Sequence, residues 1–361
     1  MIIGVPREIK TEEYRVSMTP EGVREIKRFG NTVLVESGAG AGSGFPDEEY
    51  QEADADIVDR KILFGRSDLI VKVKEPLPGE FDLLREGQAV FTYLHLAPNR
   101  ELTELLLRKK ITGLAYETLE KDRSLPLLAP MSEIAGRMAP LVGAFFLQKP
   151  QGGSGILPTG ATGVKPARMA ILGAGMVGTN AARTALGMGM EVLVMNRTTD
   201  RLKAIDDLFQ GRIETLPFTP RNVEQEIRGA DIVVGAILVP GGRTPVCITR
   251  RMLGTMKPGS VIVDVSVDQG GCCETTHPTT HADPVFAVDG IIHYCVANMP
   301  GAYPRTATLA LTNATLPFVK ELAIRGVDKA IEADPAIASS LNTYRGEIRN
   351  QALARAMDVS Q

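Results

Sequence analysis

A glycine-rich segment between two short apolar runs constrains the fold of this chain more than any other feature. Residues 169–172 read MAIL, the pattern of a buried parallel strand, and Gly173, Gly175 and Gly178 follow as Gly-x-Gly-x-x-Gly. A second apolar run, 191–195, comes after the helical pattern that the glycines open. Glycines allow a tight turn and close backbone approach to a pyrophosphate, and the free N–H groups at the helix start attract phosphate. The segment therefore predicts a Rossmann unit that binds a dinucleotide.

The residues after the second strand indicate which dinucleotide is bound. A site for NAD(H) usually carries Asp or Glu about 20 residues beyond the glycines, because a carboxylate accepts from the ribose 2′-hydroxyl. This chain has Asn196 and Arg197 instead. A neutral amide does not repel a 2′-phosphate, and a guanidinium can donate two hydrogen bonds to it. The pattern favours NADP(H), and NAD(H) stays open as the alternative.

Composition limits the class of protein. The 361 residues are 44% hydrophobic, which suits a sizeable core and two domains rather than one. A formal net charge of -3, without a block of like charge, argues against nucleic acid or an anionic membrane surface as the main partner. Met1 leads directly into an apolar run, and no apolar run approaches the roughly 18 residues that span a bilayer. We therefore expect a cytoplasmic protein.

The chain has four cysteines, which are Cys247, Cys272, Cys273 and Cys295. They show no C-x-x-C spacing, and a disulfide framework is not expected in a large cytoplasmic chain. Two histidines, His277 and His281, follow the Cys272-Cys273 pair and raise the alternative of a zinc site. Pro278 would break a helix that aligned them, and the spacing matches no common structural site, so we expect buried thiols and no metal.

Short apolar runs alternate with helical patterns in the first third of the chain, as in a doubly wound α/β layer. The strands predicted there are 2–5, 32–35, 69–73, 89–94 and 111–115. Helices are predicted from Thr19-Pro20 to Gly30, after the capping residue Asn99, and over 132–148. Later strands are predicted at 231–238, at 260–266 and within 285–298, and the tail 306–361 is predicted to be helical.

These patterns predict an α/β fold with two Rossmann-like, doubly wound domains. The dinucleotide-binding domain would span residues 127–305. The substrate domain would be discontinuous, formed by residues 1–126 and 306–361 around the inserted dinucleotide-binding domain.

Polar side chains follow three apolar runs of the first domain. Ligands of open α/β sheets bind outside the carboxyl ends of strands, and there the chain places Arg15, Lys74 and His95. Arginine can clamp a carboxylate, lysine can polarise a carbonyl, and histidine can exchange a proton near neutral pH. Each also has a structural alternative: Arg15 could be a surface charge, Lys74 an edge-strand lysine and His95 a core histidine. Their common placement predicts a site for an anion with a carbonyl beside its carboxylate.

An acidic residue follows a late strand of the second domain. Asp268 comes after the run VIVDV, where it would lie on the nicotinamide side and could bind ammonia or orient water. Asp264 lies inside that run and is predicted to be a structural hydrogen-bond acceptor instead.

Six segments resemble those of alanine dehydrogenases: MIIGVPREIKTEEYRVSMTP, VKVKEPL, FTYLHLAP, LLAPMSEIAGRMAP, VDQGGCCETTHPTTH and HYCVANMPGAYPRTATLALTNATLP. They occur in the same order as in the family and extend over nearly the whole chain. The resemblance, which extends to the nucleotide-binding subunit of transhydrogenase, implies reversible oxidative deamination of L-alanine to pyruvate and ammonia. It also implies a homohexamer.

The resemblance implies roles for individual residues. Arg15 and Lys74 would hold the carboxylate and carbonyl of pyruvate, His95 would be the general acid/base, and Asp268 would assist the ammonia or water step. The residues implied to line the substrate pocket are Tyr93, Met131 and Asn298. The residues implied to lie along the dinucleotide are Ser132, Gly173, Gly175, Met176, Val177, Gly178, Arg201, Val239 and Val267.

The chain departs from the family at the turn after the second Rossmann strand. Most members carry Asp at the position of Asn196 and a small apolar residue at that of Arg197. Asn196-Arg197-Thr198 is similar instead to the turn with which shikimate dehydrogenases hold a 2′-phosphate. Two other functions stay open: a dehydrogenase or reductive aminase for a larger amino acid or an opine-like amine/2-oxo acid pair, and a non-catalytic nucleotide-binding subunit like that of transhydrogenase.

Overall fold

The computed structural model describes residues 1–237, 239 and 243–358. In chain order the strands are β1 (Ile2–Val5), β2 (Thr32–Glu36), β3 (Asp56–Val58), β4 (Leu69–Val71), β5 (Ala89–Thr92), β6 (Thr112–Ala115), β7 (Arg168–Leu172), β8 (Glu191–Asn196), β9 (Glu214–Pro217), β10 (Ile232–Gly235), β11 (Val261–Asp264), β12 (Val285–Val288), β13 (Ile291–Tyr294), β14 (Leu341–Tyr344) and β15 (Glu347–Ile348).

The α-helices are α1 (Pro20–Lys27), α2 (Asp47–Glu52), α3 (Arg60–Arg66), α4 (Pro78–Phe81), α5 (Arg100–Arg108), α6 (Ala129–Phe146), α7 (Met176–Gly187), α8 (Thr199–Phe209), α9 (Pro220–Ile227), α10 (Arg250–Leu253), α11 (Pro304–Arg325), α12 (Val327–Ala333), α13 (Pro335–Ser339) and α14 (Gln351–Asp358). Short 3-10 helices occur at Ala41–Ser43, Tyr116–Thr118, Lys149–Gln151, Val267–Gln269 and Met299–Ala302. Among the described residues, no helix combines the length and the apolar composition that crossing a membrane requires.

The chain forms two compact units. The first comprises Met1–Met131 with Tyr303–Gln361, and the second is Ser132–Ala302. The sequence places these boundaries at 126/127 and 305/306.

The first unit is built on a sheet of order β15-β14-β6-β5-β4-β1-β2-β3. Strands β1 to β6 are parallel. From β1 the strand order continues outward to β2 and β3 on one side and to β4, β5 and β6 on the other, so the topological switch point lies between β1 and β4. Successive residues of a strand enter opposite cores: Val33 and Val35 lie in one and Leu34 in the other. A parallel sheet needs such a cover on both faces. The C-terminal return supplies part of it, through Leu311 and Phe318 of α11.

The prediction of an entirely helical tail is wrong. Strand β14 pairs antiparallel with β6, and β15 pairs antiparallel with β14, so the tail extends the first sheet. The two strands are joined by Arg345 and Gly346, which both have positive φ (52° and 87°), the requirement of a type I′ hairpin turn. The last three residues of the chain lie outside the described residues.

The second unit is built on a sheet of order β12-β13-β11-β10-β7-β8-β9. Its strands are parallel except for β12, which pairs antiparallel with β13. From β7 the strand order continues to β8 and β9 on one side and to β10 and β11 on the other, so the topological switch point lies between β7 and β10. Strand β7 is the apolar run before the glycines, so the glycine loop lies at this switch point, where ligands of doubly wound sheets bind.

Most predicted elements are confirmed, but several strands end earlier than predicted. Thr19 and Asn99 accept hydrogen bonds from the first turns of α1 and α5, as expected of N-caps. The predicted strands 69–73, 89–94 and 260–266 end at Val71, Thr92 and Asp264. The first N–H group beyond each of those points still donates to a carbonyl of the neighbouring segment. The second, of Val73, Leu94 or Ser266, donates to a carboxylate instead. Strand β10 is also shorter than the predicted 231–238, of which Leu238 lies outside the described residues.

Candidate active site

Arg15 lies in the loop after β1, at the switch point of the first sheet. Its guanidinium is 2% exposed, so the alternative of a surface charge is wrong. Nε donates to Glu13 Oε1 at 2.6 Å, Nη2 donates to Glu13 Oε2, and Nη1 donates to Met131 Sδ at 2.9 Å. Burial opposes the charge on both members of the pair, but their mutual attraction outweighs it, lowering the pKa of Glu13 and raising that of Arg15. The arginine is therefore a fixed, permanent cation.

Lys74 follows β4, the strand beside β1. Because β4 lies between β1 and β5, the alternative of an edge-strand lysine is wrong. The half-buried Lys74 amino group has no hydrogen-bond or ion-pair partner among the described residues. Burial, reinforced by the positive charge of Arg15, lowers the Lys74 pKa. Arg15 and Lys10 add positive charge around Lys74, and Glu13 and Glu75 add negative charge. Because the Lys74 amino group makes no ion pair with either carboxylate in the described part of the chain, it can bind an anionic ligand.

His95 follows β5, the next strand of the sheet. Its side chain is exposed, so the alternative of a core histidine is wrong. Its backbone has a φ of +46°, and its N–H donates to Glu117 Oε1 at 2.6 Å. The imidazole stacks on the Tyr93 ring with 6.0 Å between centroids and 15° between planes. Tyr93 is buried, its hydroxyl donates to Leu127 O at 2.5 Å, and burial raises its pKa.

The first unit therefore brings five predicted residues together. Tyr93 links them, because it stacks on His95 and lies within electrostatic range of Arg15, which in turn contacts Met131 and acts on Lys74. The site combines a fixed guanidinium, an amino group without a partner in the described part of the chain, and an exposed imidazole. These three groups can bind a carboxylate, polarise a carbonyl and move a proton.

The glycine loop of the second unit has the shape that a dinucleotide pyrophosphate needs. Gly173 has a φ of +116°, and a Cβ there would lie 2.4 Å from Ala236 O. A Cβ at Gly178 would lie 1.9 Å from Gly173 O, so only glycine allows α7 to pack this closely. Among the described residues, a Cβ at Gly175 would meet no atom within 4 Å, and no side chain caps the start of α7. The open space above free N–H groups fits a phosphate.

The turn after β8 holds the residues that would distinguish NADP(H) from NAD(H). Asn196 Oδ1 accepts from Ala174 N at 3.2 Å, and Nδ2 donates to Thr198 O at 3.2 Å and to Thr198 Oγ1 at 3.1 Å. The Asn196 side chain thus connects the glycine loop to the turn, and its NH₂ group already donates to Thr198. Arg197, Thr198 and Arg201 are exposed.

The other predicted residues of the second unit are dispersed over it. Ser132 is half-buried in α6, Met176 is exposed and Val177 half-buried at the start of α7, and Val267 is buried. The backbone N–H and C=O of Val239 both bond the Gln269 side chain, at 3.2 Å and 3.3 Å.

Two more predicted residues lie on turns of the second unit. Asp268 is exposed on the 3-10 helix Val267–Gln269. Asn298 is half-buried with a φ of +67°, and its carbonyl oxygen lies 3.2 Å from His281 Nε2. Asp264 is a structural acceptor, as predicted: its carboxylate accepts from the backbone N–H groups of Ser266 and Cys272.

Comparison with known proteins identifies the family. The family description "Alanine dehydrogenase/PNT, N-terminal domain" matches residues 4–135, and "Alanine dehydrogenase/PNT, C-terminal domain" matches residues 139–351. The chain belongs to the alanine dehydrogenase/PNT family. The alanine dehydrogenase of Halomonas elongata is 52% identical over 361 residues, covering 99% of this chain and 97% of the relative. That of Staphylococcus saprophyticus is 49% identical over 362 residues, covering 100% and 98%.

Solved structures agree with the alanine dehydrogenase/PNT assignment. An L-alanine dehydrogenase matches with a TM-score of 0.97 and 48% identity over the whole of both chains. A transhydrogenase from Sinorhizobium meliloti matches with a TM-score of 0.84 and 26% identity over 98% of this chain and 100% of that one. The predicted α/β fold and family are confirmed. The chain is an amino-acid dehydrogenase of the alanine dehydrogenase type, and members of its family use a nicotinamide cofactor.

Three carboxylates of this alanine dehydrogenase/PNT chain were missed by the sequence reasoning. Glu13 holds Arg15, while Glu8 and Glu117 accept from backbone N–H groups near Lys74 and His95. Glu13 could have been noticed as the acid two residues from Arg15. Nothing in the sequence marks the other two, because their partners are distant main-chain atoms.

The four thiols are free. His277 stacks on Phe286 with 3.7 Å between ring centroids. In the described parts of the chain, no three metal-binding side chains come together.

Proposed function

We propose that this chain catalyses the reversible oxidative deamination of L-alanine to pyruvate and ammonia, with NADP(H) as its preferred cofactor. The observation that carries the proposal is the placement of Arg15, Lys74 and His95 after the three neighbouring strands β1, β4 and β5. The names of relatives about half identical to the chain support alanine as the substrate.

The first unit, with Tyr93 and Met131 beside its cations, would bind pyruvate. Arg15 is already oriented by Glu13 and would hold the carboxylate with little further loss of side-chain entropy. The Lys74 amino group would donate to the carbonyl oxygen, which makes the carbonyl carbon more electrophilic. We assign this substrate role to the unit formed by the two ends of the chain.

His95 would carry the protons of the amination. Ammonia adds to the carbonyl carbon, which leaves an ammonium nitrogen and an alkoxide oxygen. Two protons must then move from that nitrogen to that oxygen, so that water departs and a neutral imine forms. His95 would take each proton from the nitrogen and deliver it to the oxygen, work worth about 10²- to 10⁴-fold in rate. Asp268 would bind the ammonia or orient the water, and Asn298 would line the substrate site.

The second unit would hold the cofactor, which when bound supplies a hydride for the imine carbon. The loop Gly173, Gly175, Gly178 would receive the pyrophosphate, with Met176 and Val177 at the helix start. The residues proposed along the rest of the dinucleotide are Ser132, Asn196, Arg197, Thr198, Arg201, Val239 and Val267. The exposed guanidinium of Arg197 and the Thr198 hydroxyl would bind a 2′-phosphate, whereas Asn196 would keep the turn in place without adding a negative charge.

Rates with a series of 2-oxo acids, with ammonium or a primary amine as co-substrate, test the substrate assignment. We expect the highest kcat/KM for pyruvate with ammonium. A preference for a larger 2-oxo acid, or for an amine over ammonium, would replace the proposal by the corresponding dehydrogenase or opine-like reductase. No turnover with any pair would favour a non-catalytic nucleotide-binding subunit. Activity is expected to withstand chelators, because we assign no metal.

We also propose a cytoplasmic homohexamer. Helix α6 exposes Leu141 and Phe145 by 44% and 48%, and apolar side chains this large are usually covered by another subunit when they are grouped. Four free thiols suit a reducing compartment. Light scattering on the eluting protein tests the assembly, and a monomer would contradict it.

A further inference from the structure

Carboxylates hold the main chain at the ends of two neighbouring strands of the first sheet. After β4, Glu8 Oε1 accepts from the N–H groups of Val73 and Lys74 at 2.7 and 3.3 Å. After β5, Glu117 accepts from Leu94 N at 3.2 Å and from His95 N at 2.6 Å. In both places one carboxylate binds two consecutive N–H groups, and the second belongs to a residue to which we assign chemistry.

The contact at Glu117 coincides with a strained backbone. The φ of His95 is +46°, in the left-handed region where the Cβ of any residue but glycine crowds the following carbonyl. Such a conformation persists only where the surroundings impose it. Ionised carboxylates form the stronger class of hydrogen bond, and the two oxygens of Glu117 fix two N–H groups in one orientation.

The left-handed conformation decides where the imidazole lies. It leaves the His95 side chain exposed and stacked on Tyr93, whereas the preceding residue, Leu94, is buried. In a continued strand, successive side chains would point to opposite faces of the sheet with extended backbone angles. A continued strand would also place His95 on the Tyr93 face, so the turn at His95 sets the direction of its Cα–Cβ bond rather than the choice of face. In this conformation the ring stacks on Tyr93 and stays exposed at the carboxyl end of the strand.

Glu117 reaches this place from another element. It belongs to the 3-10 helix Tyr116–Thr118, directly after β6, which is the neighbour of β5. Each of its two oxygens accepts from a main-chain N–H, which makes the side chain a clamp for the His95 backbone.

We propose that Glu117 is a positioning residue for His95: by accepting from the N–H groups of Leu94 and His95, it holds the left-handed backbone that presents the imidazole for proton transfer. The inference rests on the proposed role of His95 in the reaction. We assign Glu117 itself no contact with substrate or cofactor.

The informative variant is Glu117→Gln, which keeps the shape of the side chain. Its one amide oxygen can accept from one N–H, while its NH₂ group faces the other, so the clamp is broken. We expect kcat for pyruvate amination to fall about 10- to 100-fold, the range of a misplaced catalytic group, with the Kd for NADPH unchanged. Glu120→Gln removes the same charge from an exposed residue of the same segment and is expected to keep wild-type kcat.

A double-mutant cycle separates positioning from a general structural role. In the His95→Ala background there is no imidazole to place, so adding Glu117→Gln should change the residual kcat by less than about twofold. An equal loss in the wild-type and His95→Ala backgrounds would overturn the proposal.

A crystal structure of Glu117→Gln gives a readout that does not depend on activity. We expect the φ of His95 to become negative and its ring to leave the Tyr93 stack. A variant that keeps a positive φ at His95 would overturn the proposal even if its kcat were low. If the wild type does not aminate pyruvate, the proposed function fails, while the crystal structure still decides whether Glu117 holds this backbone.

Discussion

We expect an acidic residue at position 196, directly after β8, to shift the cofactor preference from NADP(H) toward NAD(H). The perturbation is the double substitution Asn196→Asp with Arg197→Ile. It removes the exposed guanidinium and places a carboxylate where a 2′-phosphate would lie, while an Asp at position 196 can accept from a ribose 2′-hydroxyl.

The structure separates the effect on the cofactor from the effect on the fold. Loss of the Arg197 hydrogen bonds to a phosphate removes about 1.5–3 kcal/mol, or about 10- to 150-fold. Repulsion by the new carboxylate adds to this, so we expect the NADPH/NADH ratio of kcat/KM to fall about 10²- to 10³-fold. An Asp oxygen would keep the bond from Ala174 N, but the other would face Thr198 O in place of the present donor. The expected cost in unfolding free energy is about 1 kcal/mol.

The assay is kcat/KM for NADPH and for NADH at saturating pyruvate and ammonium. Arg221→Ile is the matched control, because Arg221 is an exposed arginine of the same unit that lies at the start of α9 and not in the turn after β8. It should leave the ratio unchanged. A ratio that moves less than about threefold in the double variant, with its fold intact, would show that the 2′-phosphate is recognised elsewhere.

Four further substitutions test the roles assigned to Lys74, the glycine loop and Glu13. Lys74→Met should abolish amination yet raise the unfolding free energy by about 1 kcal/mol at neutral pH, because it removes a desolvated cation. This gain should shrink as the pH rises from the lowered pKa of Lys74 toward 10.5, where the lysine loses its charge in the unfolded chain as well. A destabilised variant would contradict the prediction. Gly175→Ala should fold normally but bind NADPH weakly, whereas Gly178→Ala, whose Cβ would lie 1.9 Å from a carbonyl oxygen, should also lose thermal stability; equal stabilities would refute the assigned packing. Glu13 has a lowered pKa because Arg15 outweighs its burial, so the wild type should lose stability more steeply than Glu13→Gln on acidification below pH 4.5. An equal loss of unfolding free energy in the wild type and in Glu13→Gln below pH 4.5 would contradict the Glu13–Arg15 ion pair.

The periodic parts of the fold could be predicted from the sequence, and the C-terminal hairpin could not. Apolar runs such as 2–5 and 169–172 are buried on both faces and therefore read as parallel strands. Strands β14 and β15 have two to four residues and are joined by Arg345 and Gly346. Type I′ turns usually carry Asn or Asp at the first of these positions, so the arginine gave no turn signal. Pairing with β6, which is distant in sequence, is what makes this segment a strand.

The candidate site also contains residues that could be predicted from the sequence and residues that could not. The strand-end rule finds Arg15, Lys74 and His95, because polar residues directly after apolar runs are visible in sequence. It does not find Glu8 or Glu117, which act on main-chain atoms that every residue possesses.

Buried charge is equally hidden from the sequence. Lys72 is fully buried between Glu8 and Glu80, with its Nζ 3.2 Å and 2.8 Å from their carboxylates. In sequence it looks like Lys74, two residues away, although only the latter lacks a carboxylate partner in the described chain. Which lysine is structural depends on partners that the fold brings together.

The most direct test of the central claim is the initial rate of reduced-cofactor oxidation by the wild-type protein with pyruvate and ammonium, measured with NADPH and with NADH. We expect turnover that requires both substrates, L-alanine as the product and a higher kcat/KM for NADPH. Turnover that is faster with NADH would contradict the cofactor assignment, and no oxidation of either cofactor would contradict the proposed reaction.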